Sequence, residues 1–193
     1  PDYIIIYHAY NDIRSYLTPG FTSDYFHSRK NLGEVYWKYY LASKIPSVPL
    51  NFVNYLTNKF LFPLDERSTI LEVIRKSKID ISLDYSEGLK TYERNLQHII
   101  DLSLCNNIKV ILSTYCFYLY PEIENDPLSK LYQKIVSEEN EVVKKLAIKN
   151  NLPLVDADIA INKERTNFLD SAHLTTQGMN LLAQCIAEKI NLE

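Results

Sequence analysis

Glycine is scarce in this sequence: four in 193 residues, at Gly20, Gly33, Gly88 and Gly178, few for an enzyme of this length. Cysteine is scarce as well. Cys105, Cys116 and Cys185 are an odd number at no metal-like spacing, which argues against a disulfide framework and a zinc site. Cys105 and Cys185 fall in apolar periodic segments, where a thiol is expected to behave as a small buried hydrophobe. There is no excess of positive charge: 24 acidic against 21 basic residues give a net charge of −3. The basic face expected of a nucleic-acid binder is therefore missing. No apolar run approaches the roughly 18 uncharged residues of a membrane span. The most apolar tract, residues 51–63, is broken by Asn54, Asn58 and Lys59. The sequence opens on Pro1 rather than Met, with a strand-like run directly after it, and reads as an incomplete chain.

What is present is an ordinary globular composition, 46% apolar and 23% charged, unlike a disordered or collagen-like chain. The length suits one domain with a sizeable core. Fifteen tyrosines are the one conspicuous excess.

Hydrophobic patterning alternates strand and helix. Residues 3–7 are a β-branched and aromatic run, expected as a strand buried on both faces. Residues 108–112 are a second such run. Residues 152–155 are a third, with Pro153 placing it at a strand start or a sheet edge. Helical spacing carries Leu89, Tyr92, Leu96, Ile99 and Ile100 along residues 86–104. Asp126-Pro127 is the N-cap and first-turn proline of a helix running toward Asn150. Thr175 or Thr176 caps a last helix carrying Leu181, Leu182, Ile186 and Ile190. This order predicts parallel α/β layering with right-handed crossovers.

Residues 14–85 are too long for a plain crossover. Helices are expected there at 34–44, about 50–62 and 68–76, packed through Tyr36, Trp37, Tyr40, Phe52, Tyr55 and Phe60. In a parallel sheet, ligands collect beyond the carboxyl ends of the strands. Two polar clusters fall there: His8-Ala-Tyr-Asn-Asp12 after the first strand, and Asp170-Ser-Ala-His173 before the last helix. An Asp-x-x-His pair can fix an imidazole tautomer and leave the other ring nitrogen to take a proton. An Asn side chain at the opposing strand end can donate to a developing oxyanion. The blander readings are a turn or N-cap for Asn11 and Asp12, and a packed or turn role for His8. Asp156 and Asp158, with Asp170 and His173, form an alternative hard-metal set. Arg14, Arg29 and Lys30 could meet an anionic substrate. Glu138-Glu-Asn-Glu141 followed by Lys144-Lys145 reads as a solvated helix face.

Residues 1–13, a strand running into His-Ala-Tyr-Asn-Asp, resemble the third block of the SGNH/GDSL hydrolase family, where a buried strand leads into Gly-x-Asn-Asp. Residues 168–183, with Asp-x-x-His-Leu-x-x-x-Gly and a closing helix, resemble the fifth block. Residues 92–100 and 110–114 look like the intervening helix and strand. The resemblance spans nearly the whole chain apart from the insertion at about 14–85.

It implies a three-layer, flavodoxin-like parallel sheet with helices on both faces, one domain over residues 1–193. It implies acyl-ester hydrolysis on a carbohydrate or lipid-like ester, with no cofactor. His173 would be the general base, Asp170 its orienting carboxylate and Asn11 an oxyanion donor, with His8, Tyr10 and Asp12 lining the site. The family's serine, in a Gly-Asp-Ser block, and a second glycine block precede the Asn block. No glycine here is followed by Asp-Ser. The resemblance therefore implies that two N-terminal strands and the nucleophile are missing, that residues 3–7 form an open sheet edge, and that this chain alone is inactive. Ala9 also stands where the family has glycine. A non-catalytic binding module of the same fold and a metal-dependent hydrolase are the competing expectations.

Overall fold

The computed structural model describes residues 1–25 and 79–191. Strands β1 (Tyr3–Tyr7), β2 (Lys109–Ser113) and β3 (Leu154–Val155) form one parallel sheet in the order β1-β2-β3. Tyr3 stands opposite Lys109 and Tyr7 opposite Ser113, while Leu112 stands opposite Leu154. Around the sheet lie α1 (Ile13–Tyr16), α2 (Ser86–Cys105), α3 (Pro127–Lys149), α4 (Ala157–Ala160) and α5 (Thr176–Asn191).

Strand alternation sends neighbouring side chains to opposite faces. Ile6, Val110 and Leu112 join Tyr92, Leu96 and Ile100 of α2 and Tyr132, Ile135, Val143 and Leu146 of α3 in one core. Ile111 and Val155 join Leu182 of α5 in a second core on the other face. The fold is thus α/β, a parallel sheet with helices on both sides. Each fully buried Ile or Leu contributes roughly 2 kcal/mol.

The helices begin where local chemistry starts them. The Asp126 carboxylate accepts from the Ser129 amide at 2.8 Å, and Pro127 occupies the first turn of α3. At α5 the cap is Thr175, whose hydroxyl accepts from the Gly178 amide at 3.2 Å.

Several expectations need correction. Among the described residues β1 pairs only with β2, the edge position that the resemblance implies, but its Ile5 is 42% exposed where a strand buried on both faces is expected. β2 starts one residue later than expected because the Ile108 amide closes the end of α2 on the Ser103 carbonyl at 2.9 Å. β3 shrinks to two residues, although the Pro153 carbonyl still accepts from the Leu112 amide at 3.0 Å. Cys105, the last residue of α2, is exposed, as are its neighbours Leu102 and Leu104.

The described segments 1–25 and 79–191 meet where the Asp80 amide donates to the Leu17 carbonyl at 2.9 Å. Close by, Tyr16 lies on α2 over Gly88, where an added Cβ would stand 2.4 Å from the ring. The helices expected at 34–44, 50–62 and 68–76, with Arg29 and Lys30, lie outside the described residues.

Candidate active site

β1 ends directly in the first polar loop. The Asn11 amide turns back onto the Ala9 carbonyl, which forces Tyr10 to a φ of 35°. A tyrosine seldom takes positive φ, so packing must hold it there. The Tyr10 ring is buried against Phe117 and Tyr132, with centroids 5.9 and 5.3 Å away. Ala9 is not among the positive-φ residues, so its methyl group meets no backbone penalty where the resemblance would place glycine.

The remaining residues of this loop divide into held and free. His8 Nε2 lies 3.4 Å from Asp12 Oδ2, and its ring rests against Tyr92, whose hydroxyl donates to the His8 carbonyl. The hydrogen bond to Asp12 holds the His8 imidazolium above its ordinary pKa, with burial opposing. Tyr25 also donates its hydroxyl to Asp12 at 3.2 Å. Asp12 stands at the N-cap of α1, yet its side chain makes no capping bond. Asn11 is exposed, and no described residue hydrogen-bonds its side-chain amide.

The second cluster is a closed turn. Phe168 and Leu174 bridge antiparallel, and the Leu169 amide donates to the His173 carbonyl at 2.8 Å. Inside it, Asp170 Oδ1 accepts the amides of Ala172 and His173 at 2.8 and 2.9 Å. With the carboxylate so fixed, His173 Nδ1 lies 3.0 and 2.9 Å from its two oxygens. An ionised carboxylate only accepts, so Nδ1 carries a proton, and in the neutral imidazole Nε2 is the bare nitrogen. The His173 side chain is 54% exposed, which leaves Nε2 open to solvent and to a substrate. Gly178 is explained by close approach: a Cβ there would stand 2.3 Å from the Asn167 carbonyl oxygen.

The segment after β2 ties the two clusters to one end of the sheet. The Tyr118 amide donates to the Ser171 carbonyl at 2.9 Å, and the Tyr115 hydroxyl donates to the Ala172 carbonyl. Burial pushes the Tyr10 hydroxyl far above its ordinary pKa, and Tyr132 and the nearby Asp170 carboxylate add to the effect.

Two residues of α3 correct the reading of a solvated charged face. Glu138 and Glu141 do face outward, toward Lys134 at 3.8 Å and Lys144 at 3.2 Å. Glu139 and Asn140 are buried, at 0% and 3% exposure. The Tyr16 hydroxyl donates to Glu139 Oε1 at 3.0 Å. The Asn140 side chain accepts the Tyr115 amide at 2.7 Å and donates to the Tyr115 carbonyl at 2.9 Å. The signal was available in the spacing. Glu139 is four residues from both Ile135 and Val143, and Asn140 is four from Val136, so both sit on the buried stripe.

The alternative metal set is not assembled. Asp156 accepts from the Thr114 hydroxyl at 2.9 Å and lies 3.4 Å from Lys144, Asp158 is paired with Lys163, and Asp170 with His173. Among the described residues no three His, Cys, Asp or Glu side chains converge. No helix among them is long and apolar enough to cross a membrane.

No protein-family model matches the chain, and no curated protein matches it. Among solved structures it is similar to a GDSL-like lipase of Bacteroides thetaiotaomicron, at 24% identity over 51% of this chain and 50% of that one, TM-score 0.41. A protein assigned as a GDSL-like lipase from Parabacteroides merdae shares 18% identity over 54% and 50%, TM-score 0.46. A protein assigned as an acylhydrolase from Bacteroides fragilis shares 28% identity over 57% and 54%, TM-score 0.41. The chain spans about half the length of each.

Proposed function

We propose that this chain carries the base and oxyanion half of an ester hydrolase of the SGNH type, and that its nucleophilic serine lies outside these 193 residues. The observation that carries the reading is the Asp170–His173 pair. Its carboxylate is fixed by two backbone amides and bonded to Nδ1, and Nε2 is bare at the carboxyl end of a parallel sheet. The order of the Asn-Asp and Asp-x-x-His-Leu blocks along the sequence adds to it.

In this mechanism the serine hydroxyl attacks the ester carbonyl while His173 Nε2 takes its proton. Asp170 stabilises the imidazolium that forms. The carbonyl oxygen becomes an oxyanion, and the Asn11 side-chain N–H donates to it. His173 returns the proton to the departing alkoxide, leaving an acyl-serine. It then takes a proton from water, whose oxygen attacks the acyl carbon, and returns that proton to the serine oxygen as the acyl–serine bond breaks and the acid leaves. His8 and Asp12 hold each other and the loop, so Asn11 is the donor of that segment. The ester is an acylated carbohydrate or a lipid-like ester.

A serine-directed fluorophosphonate tests this reading on two proteins, the 193-residue chain and a form carrying the residues encoded ahead of Pro1. Labelling of the longer form alone, lost on His173→Ala, is the expected result. Equal labelling of both would overturn the assignment of the nucleophile. No labelling of either would favour a binding module on the same fold.

A further inference from the structure

Glu139 and Asn140 are adjacent on α3, yet they hold different halves of the site. On one side, Glu139 Oε1 accepts from Tyr16, the last residue of α1, which follows directly on the Asn11 loop. The Tyr10 backbone amide also acts on this carboxyl, favouring its charged form. Through Tyr16, Glu139 thus holds the helix that follows the loop of Tyr10, the residue whose φ of 35° sets the direction of Asn11. Its second oxygen, Oε2, is buried without a hydrogen-bond partner among the described residues. A buried carboxyl left half-satisfied is costly, and the observation calls for a role.

On the other side, Asn140 grips Tyr115 at both backbone groups, at 2.7 and 2.9 Å. Tyr115 passes that fixed position to the Ala172 carbonyl through its hydroxyl. Ala172 lies between Asp170, whose carboxylate its amide binds, and His173. The two halves of the proposed site come from segments about 160 residues apart in sequence, with one helix behind both. Loops bearing reacting groups must be held to about half an ångström, which requires locked supporting side chains.

We propose that Glu139 and Asn140 are positioning residues, a two-residue clamp on one helix that sets the Asn11 loop through Glu139 and the Asp170–His173 turn through Asn140. The functional part of this proposal rests on the ester-hydrolase reading; the mechanical part does not. Neither residue touches substrate. The clamp predicts that the two loops respond separately, although the residues that hold them are neighbours.

The test is amide hydrogen exchange, residue by residue, on the 193-residue chain. Asn140→Ala should speed exchange at Tyr118, Ala172 and His173 by roughly tenfold or more, leaving Asn11 and Ile13 unchanged. Glu139→Leu should do the reverse. The amides of Leu96 and Ile100, deep in α2, report global opening and should stay slow in both. Two milder variants guard against loss of folding. Tyr115→Phe cuts only the hydroxyl relay and should mobilise Ala172 and His173 alone. Glu139→Gln keeps the acceptor for Tyr16 and should restore the Asn11 loop to its normal exchange.

Equal acceleration of both loops by either variant, or failure of Glu139→Gln to rescue, would overturn the clamp. In a form that hydrolyses esters, Asn140→Ala should lower kcat about tenfold or more with KM little changed, because it misplaces the base and not the bound substrate. If hydrolysis requires His173 while the loops fail to separate, the clamp is wrong and the ester-hydrolase reading stands. If the loops separate and no form hydrolyses an ester, the clamp stands without that reading.

Discussion

Tyr7 and Tyr115 stack with ring centroids 4.7 Å apart and planes 22° from parallel, joining the carboxyl ends of β1 and β2. The Tyr7 hydroxyl accepts from the Cys116 amide at 3.3 Å, and the Tyr115 hydroxyl reaches the Ala172 carbonyl. Two contacts therefore lead from the first strand to the turn that holds His173. An aromatic stack and a neutral hydrogen bond each contribute about 1 kcal/mol.

Separating those contributions gives the first prediction. Tyr115→Phe keeps the stack and loses the bond to Ala172, and should destabilise the chain by about 1 kcal/mol. Tyr115→Ala loses both and should cost roughly 3 kcal/mol. Urea denaturation of the two variants checks the order, and a Phe variant as damaging as Ala would contradict it.

Gly178→Ala should destabilise by roughly 1–3 kcal/mol, because the new Cβ meets a backbone carbonyl that cannot turn aside. The strain falls on Asn167 and Leu174, so amide resonances of residues 167–174 should shift while those of α2 do not. Gly88→Ala meets the Tyr16 ring instead and should disturb α1. Thermal melts with amide spectra distinguish the two sites.

These glycines show what was readable in the sequence. The Asp-x-x-His turn was legible because its bonds are local: three donor groups from two residues, Ala172 and His173, fold onto one carboxylate, and the spacing alone brings them together. The strands and long helices were legible from periodicity, and the start of α3 from Asp126-Pro127. Glu139 and Asn140 were misread because acidic neighbours and following lysines make a convincing solvated face, although the 3.6-residue stripe passes through both. Tyr115 was invisible for a different reason. Its contacts to Tyr7, Asn140 and Ala172 are all tertiary, and nothing in its neighbourhood encodes them. Ile5 was expected to be buried because a β-branched run reads as an interior strand whether or not a neighbour covers it.

Stability should fall as pH rises through neutrality. Burial pushes the Glu139 carboxyl from its ordinary 4.5 up to about 8, with the Tyr16 hydrogen bond opposing and the Asp12 charge adding. The folded chain then binds this proton more tightly than the unfolded chain, so stability declines between those values. His8, raised by Asp12, acts in the same direction: its contribution is full below about 6.5 and is lost as pH rises through its folded value. The lowered carboxyls of Asp80, Asp84 and Glu122 act only in the acidic range below this window. Melting temperature should therefore be higher near pH 5.5 than near pH 8.5, and Glu139→Gln should flatten the slope to the share left by His8. A wild-type chain that gains stability over that interval would contradict the assignment.

The outer side of β1 predicts self-association of the 193-residue chain. Among the described residues β1 pairs only with β2, its five residues hold no charge or proline, and Ile5 is exposed on it. Such an edge pairs readily with another strand. Ile5→Lys should lower the average mass seen by light scattering at a given concentration, with little change in stability. An unchanged mass would show that the edge is not the contact.

The central claim is that His173 Nε2 takes the proton from a serine that attacks an ester, and its kinetic signature is the most direct test. Hydrolysis of a short-chain p-nitrophenyl ester is to be measured in a form carrying the residues encoded ahead of Pro1, beside His173→Ala and Asn11→Ala. His173→Ala should lower kcat by about 10³-fold or more, and Asn11→Ala by roughly 10²–10³-fold, with KM little altered. Full activity in the His173→Ala variant would contradict the claim.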